Sequence, residues 1–224
     1  EKDENLSVLI RTYNRGEEAK WIYVAKSVEF DNLPNTVIGY GFGKEILQLF
    51  KKPNFTERML EAKQGFVFPI PKHVRNFFEL KRTEFFCHLY NGGSYSLFYS
   101  TYHDVVSWER NGEVAKTNSG FRCSNPSLQR LAGVGYGKRG EILDSHILKE
   151  NNIFTLEGSA FPGLTVSKSL SVLSYTNSIL SQYSINLYTG QHKISGNVNL
   201  LPIPDYATRQ SDIERIVNAI IDIK

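Results

Sequence analysis

Glu61, Ala62 and Lys63 form an acid-x-lysine triplet, the pattern with which metal-dependent nucleases hold a divalent ion and an attacking water between a carboxylate and an ammonium group. The aspartate that should precede such a triplet lies after it, at Pro204-Asp205, and the order argues against that assignment. Gly135 to Gly140 (Gly-Tyr-Gly-Lys-Arg-Gly) matches GxGxxG, but Gln129 to Gly133 does not read as the strand a dinucleotide site needs, and no acidic residue closes a following βαβ unit. A flexible basic loop lying against a phosphate backbone is the reading kept for it. The histidines at 73, 88, 103, 146 and 192 have no metal-binding spacing, and Cys87 and Cys123 have no CxxC spacing. No nucleophile elbow, phosphate-binding GxxxxGK[ST] loop or Asn-Pro-Pro-aromatic motif occurs. These residues read as a chain with no catalytic group and no metal site of its own.

A second pattern is basic and aromatic. Lys51, Lys52, Lys63, Lys72, His73, Arg75, Lys81 and Arg82 interleave with Phe55, Phe66, Phe68, Phe77 and Phe78. Such cations neutralise phosphates, while Gln64, Asn76, Asn91 or arginines read base edges in a major groove. A net charge of +3 with 22% charged residues equally describes a solvated face over an aromatic core.

The elements that must position these groups read as α+β. Val8-Leu9-Ile10, Trp21 to Ala25 and Thr36 to Tyr40 read as strands from their β-branched and aromatic residues. Lys44 to Phe50 places Ile46, Leu47 and Phe50 on one helical face, stopped by Pro53. Phe66 to Phe68, Glu84 to Tyr90 and Val105 to Trp108 read as further strands, with Asn111-Gly112 as a hairpin turn. Residues 118–140 shift to Gly, Ser, Asn and basic side chains and read as a loop or linker between a β-rich part, 1–117, and an α/β part, 141–224. In the latter, Ile153 to Leu156 reads as a strand and Lys168 to Tyr183 has helical spacing. Ser211 to Glu214 reads as a capping box opening a helix with Ile213, Ile216, Val217, Ile220 and Ile221 on one face.

The 224 residues, 41% of them hydrophobic, suit one large domain or two small ones. No apolar run reaches about 18 residues, and the opening Glu1 to Asn5 is unlike a signal peptide. A cytoplasmic protein without membrane contact is expected. The only methionine is Met59 and the first residue is Glu1, so the chain is expected to be the C-terminal part of a longer protein.

Several stretches, in order, resemble a known family. Thr36 to Phe50 is similar to a strand and helix of the type P-I-x-Y-W-x-S. Leu60-Glu-Ala-Lys-Gln-Gly65 is similar to an E-A-K/R-Q-G that opens a recognition region. Asn91 to Tyr99 with Val105 to Glu113 resembles K-G-G-x-Y-R-x-W-Y followed by V-V-x-W-x-x-x-G. Gly163 to Ser167, Leu173 to Ser178 and Ile194 to Pro204 resemble G-I-T-W-S, L-x-x-L-N-S and a closing L-P-I-P. Together they resemble the C-terminal target-recognition region of adenine-specific DNA methyltransferases of the BREX phage-resistance and type IIG restriction-modification kind. Phe66 to Pro71 intervenes where the family has a polar segment, and Val166 replaces a tryptophan.

The resemblance implies a target-recognition fold of mixed small sheets with a few helices and a helical C-terminal end. It implies double-stranded DNA as partner, and an upstream methyltransferase domain that binds S-adenosylmethionine and a flipped adenine, with no cofactor in this chain. Phosphate contacts are expected from Lys63, Lys72, Arg75, Lys138, Arg139 and Lys168, and base contacts from Gln64, Asn76, Asn91, Tyr95 or Arg122. Two other readings stay open. One is a small metal-dependent DNA nuclease using Glu61, Lys63, Asp104 or Asp144. The other is an interaction module of a phage-defence complex, whose aromatic surface and Ile213 to Ile221 helix dock a partner subunit or a phage-encoded inhibitor.

Overall fold

The computed structural model describes residues 2–16, 26–39, 42–68, 74–81, 84–92, 96–122, 124–189 and 191–223. Val8-Leu9-Ile10 is helical, not extended: it lies inside α1 (Lys2–Asn14). Asp3 and Glu4 in the first turn and Arg11 in the last complement the helix dipole. Trp21 to Ala25, read as a strand, falls outside the described residues. Pro34–Thr36 is a 3-10 turn with Asn35 left-handed at φ 57°, and no strand forms over 37–39. The expected helix is present as α2 (Lys44–Leu49), whose Leu47 is buried with Phe30, Leu33 and Phe42.

Two small sheets follow. β1 (Val74–Asn76), β2 (Phe86–Tyr90) and β3 (Asp104–Ser107) are antiparallel, with β3 between the other two. Asn111-Gly112 makes no hairpin. Gly112, left-handed at φ 77°, instead turns the chain into the one-turn helix α3 (Glu113–Lys116). Gly133 to Gly137, expected as part of a loop, is the wholly buried strand β4 (Gly133–Gly137), between β5 (His146–Leu148) and β7 (Gly158–Pro162). Its glycines are there because neighbours come close. A Cβ on Gly133 would lie 1.9 Å from the Phe161 carbonyl oxygen, and one on Gly135 would lie 2.5 Å from the Tyr90 ring. β6 (Ile153–Phe154) leaves this sheet and extends the first one, parallel to β2.

The rest is helical. The periodicity over Lys168 to Tyr183 resolves into α4 (Val166–Thr176) and α5 (Ile179–Thr189), parted at Asn177-Ser178. α6 (Ser195–Val198) and α7 (Gln210–Ile223) complete the helical C-terminal end of an α+β fold. Phe55, Val134, Tyr136, Phe161, Leu173, Ile185 and Val217 form the main core, and Phe66, Phe68, Val106 and Ile153 a second one under Trp108 and Phe121. Ile213, Val217 and Ile221 of α7 face the main core as their spacing predicts, while Ile216 is 49% exposed.

Three side-chain amides act as substitute strands. Each accepts from one residue's backbone N–H and donates to the same residue's carbonyl: Gln129 on Phe154 (2.9 and 3.2 Å), Asn177 on Ser145 (2.8 and 2.9 Å) and Asn199 on Ala62 (2.7 and 3.1 Å). Each satisfies a backbone N–H that would otherwise be left unpaired, and Asn199 the Ala62 carbonyl as well, while the Phe154 and Ser145 carbonyls also accept from the Phe66 and Phe98 N–H groups.

The expected capping box at Ser211 to Glu214 is not formed. α7 begins at Gln210, and the Glu214 carboxylate accepts from Ser167 Oγ of α4 (2.6 Å) and from Gln210 Nε2 (2.9 Å). These bonds, the one from Ser167 foremost, hold the Glu214 carboxyl below its ordinary pKa. A depressed folded-state pKa stabilises above the unfolded value, and that contribution is lost as pH falls through the folded one. Wild type is therefore expected to lose its thermal-stability advantage over Glu214→Ala as the pH is lowered below the ordinary glutamate range. Melting curves of both proteins across that range check it.

Candidate nucleic-acid interface

Asn91 leaves the end of β2, and Gly92 follows it at φ 105°, where a Cβ would lie 3.2 Å from the Glu157 carbonyl oxygen. Thr155, just after β6, donates its hydroxyl to Asn91 Oδ1 (2.7 Å) and accepts from the Gly158 N–H (3.0 Å). The Asn91 amide is thereby fixed, with its oxygen committed and its Nδ2 without a partner among the described residues. A bidentate contact to adenine needs both ends of the amide. Held in this way, Asn91 presents only a donor, which suits a purine N7, a thymine O4 or a phosphate oxygen.

Three clefts meet at Asn91. The largest, about 470 Å³, is lined by Arg75, Asn76, Glu79, Leu89 and Asp104 as well as Asn91. A second, about 170 Å³, continues past Thr101, His103 and Asp104, and a third, about 100 Å³, runs between Phe66, Phe68 and Glu157. They make one groove over β1, β3 and β2. Asn76 caps the 3-10 turn Phe77–Glu79 reciprocally with Glu79, its own N–H donating to Glu79 Oε2 at 2.8 Å. That turn raises Phe77 and Phe78 at the edge of the groove, 47% and 70% exposed, with His103 stacked on Phe77.

On the far side of Asn91 the Glu157 carboxylate holds two cations, Arg139 Nε at 2.7 Å and Lys138 Nζ at 3.5 Å. The backbone there is set by Lys138 N–H donating to the Glu157 carbonyl and by the pairing of Arg139 with His192. Across the groove the cations Arg75, Lys138 and Arg139 are matched by the carboxylates of Glu79, Asp104 and Glu157. The surface offers donors and acceptors in equal measure rather than a uniformly positive field, a mixture that suits base edges more than bare phosphate.

Of the expected contact residues, Arg75, Asn76 and Asn91 line these clefts, while Lys138 and Arg139 adjoin them only through their ion pairs with Glu157. Lys72 and Tyr95 lie outside the described residues. Lys63, Gln64, Arg122 and Lys168 do not line these clefts. Lys63 pairs with Glu61 through its ammonium and with Ala160 through its backbone. The Gln64 carbonyl accepts from Asn125, Arg122 pairs with Val67, and Lys168 sits exposed in the first turn of α4. The acids proposed for a nuclease are scattered: Glu61 is held by Lys63, while Asp144 is buried and accepts from the Gly137 N–H at 3.2 Å. Among the described residues no three His, Cys, Asp or Glu side chains gather as a metal site would require. Thr155 and Glu157 escaped the sequence reading, because nothing local marks a threonine or a glutamate as the partner of residues far from it in the chain.

No family model and no curated protein matches this chain. Among the described residues no helix is long and apolar enough to cross a membrane.

Proposed function

We propose that this chain is a DNA target-recognition region, reading sequence for an adenine-N6 methyltransferase or fused restriction-modification enzyme whose catalytic domain and S-adenosylmethionine site lie outside these residues. The observation that carries the reading is the groove centred on Asn91. Two oriented amides, Asn76 and Asn91, share it with Arg75 and two carboxylates, so an amide donor can meet N7 or O4, an acid can accept from cytosine N4, and Arg75 can neutralise a phosphate beside them. The exposed Phe77 and Phe78 at its edge suit stacking or wedging where a base leaves the helix.

Binding selection from a random duplex pool, followed by fluorescence anisotropy over a salt series, tests the reading. Enrichment of one sequence motif, with affinity falling as salt rises, is the expected result. Asn91→Ala should then relax the preference at one position, at about 1–3 kcal/mol of lost discrimination. A pool that stays unenriched at low salt, with and without the methyltransferase domain fused upstream, overturns it.

A further inference from the structure

A separate pocket of about 380 Å³ opens where α2, the loop after it, the α4–α5 corner and the segment 202–205 meet. Its walls are apolar, formed by Leu49, Leu180, Ile203 and three prolines, with Lys52 and Asp205 also lining it. Two polar groups in this lining are unspent. Arg58 Nε is closed to solvent and has no hydrogen-bond partner, and the Tyr175 hydroxyl, on a side chain 4% exposed, makes no hydrogen bond among the described residues. The Nε is out of reach even of a water molecule, so a ligand meets the half-buried Arg58 through its terminal guanidinium nitrogens, which hold no acid among the described residues and are charge-assisted donors.

The pocket is also built in advance. Asn54 and Glu57 cap each other's backbone N–H groups at 2.9 Å, fixing the turn that carries Arg58. That turn is tied to the opposite wall by Phe55 N–H to the Leu201 carbonyl and Ile203 N–H to the Pro53 carbonyl. Rigid apolar walls with a few fixed polar groups are the usual form of a small-molecule site. The planar fork of a guanidinium matches the two oxygens of a carboxylate, and the lining carries one more cation than anion.

We propose that this pocket binds a small organic acid, its carboxylate on Arg58 and Tyr175 and its apolar body against Leu180 and Ile203. The site is distinct from the Asn91 groove and does not depend on the DNA reading. The test uses the full chain with 3-phenylpropionate and its neutral counterpart 3-phenylpropan-1-ol, followed by methyl chemical shifts of Leu180 and Ile203. The acid should shift both methyl groups saturably, and the alcohol should bind at least about tenfold more weakly. Arg58→Gln should abolish that difference and Arg58→Lys restore part of it. Equal binding of acid and alcohol by the wild-type protein, or an absence of shifts at Leu180 and Ile203 with either probe, overturns the proposal without recourse to any variant.

Discussion

Replacing Arg75, Lys138 and Arg139 together by glutamine is expected to lower affinity for duplex DNA roughly a hundredfold, three charge-assisted contacts at about 1 kcal/mol each. The loss should be nearly the same for all sequences, and the slope of log affinity against log salt should shrink by about three. Glu157 gives the prediction a sign control. Its carboxylate holds Arg139 and Lys138 in place of a phosphate, so Glu157→Gln alone should raise affinity at low salt and steepen the salt dependence. Anisotropy titrations of the three proteins, wild type, triple variant and Glu157→Gln, at several salt concentrations read both effects. An unchanged slope in the triple variant would place the duplex elsewhere on the molecule.

Gly65→Ala is expected to be severely destabilising. A Cβ at this position would lie 1.9 Å from the Phe154 carbonyl oxygen and 2.4 Å from its carbon. Phe154 has little room to retreat. Its N–H and carbonyl are held by Gln129, its carbonyl also accepts from the Phe66 N–H at 3.0 Å, and β6 is paired to β2. We expect a loss above about 4 kcal/mol, against a total stability of about 5–15 kcal/mol for a typical domain. Gly196→Ala is the matched control: nothing lies within 4 Å of its Cβ, and it sits inside α6. That change should be neutral or stabilising by up to about 1 kcal/mol. Urea denaturation of both variants decides the matter.

What was legible in the sequence was what periodicity carries over a few residues. α2, a single helical stretch where α4 and α5 lie, and the inner face of α7 were visible because Ile46, Leu47 and Phe50, then Leu173, Thr176 and Leu180, then Ile213, Val217 and Ile221 recur at helical spacing, whereas the break at Asn177-Ser178 was not. β4 was invisible because Gly133, Val134, Gly135, Tyr136 and Gly137 have the composition of a loop, and the reason for those glycines is the Phe161 carbonyl and the Tyr90 ring, both distant in sequence. Val8-Leu9-Ile10 has strand-forming residues but pairs with no strand among the described residues, and Asp3, Glu4 and Arg11 complement the dipole of the helix α1 that holds it. The same holds at the groove. Arg75, Asn76 and Asn91 could be chosen by residue type, but their convergence follows from β3 inserting between β1 and β2. The Arg58 pocket left no trace in the sequence, since its lining comes from three stretches that only the completed fold brings together.

The amide of Asn199 on Ala62 spans 137 residues of chain, and the bonds from Phe55 to Leu201 and from Ile203 to Pro53 close the same loop. On a ribosome adding about 5–20 residues per second, residues 53–63 therefore wait roughly 7–27 s for the segment that secures them. Until residues 199–203 emerge, the Phe55 side of the main core has no closing wall. A nascent chain stalled before that point should be open to protease near Arg58, whereas one stalled well beyond it should resist.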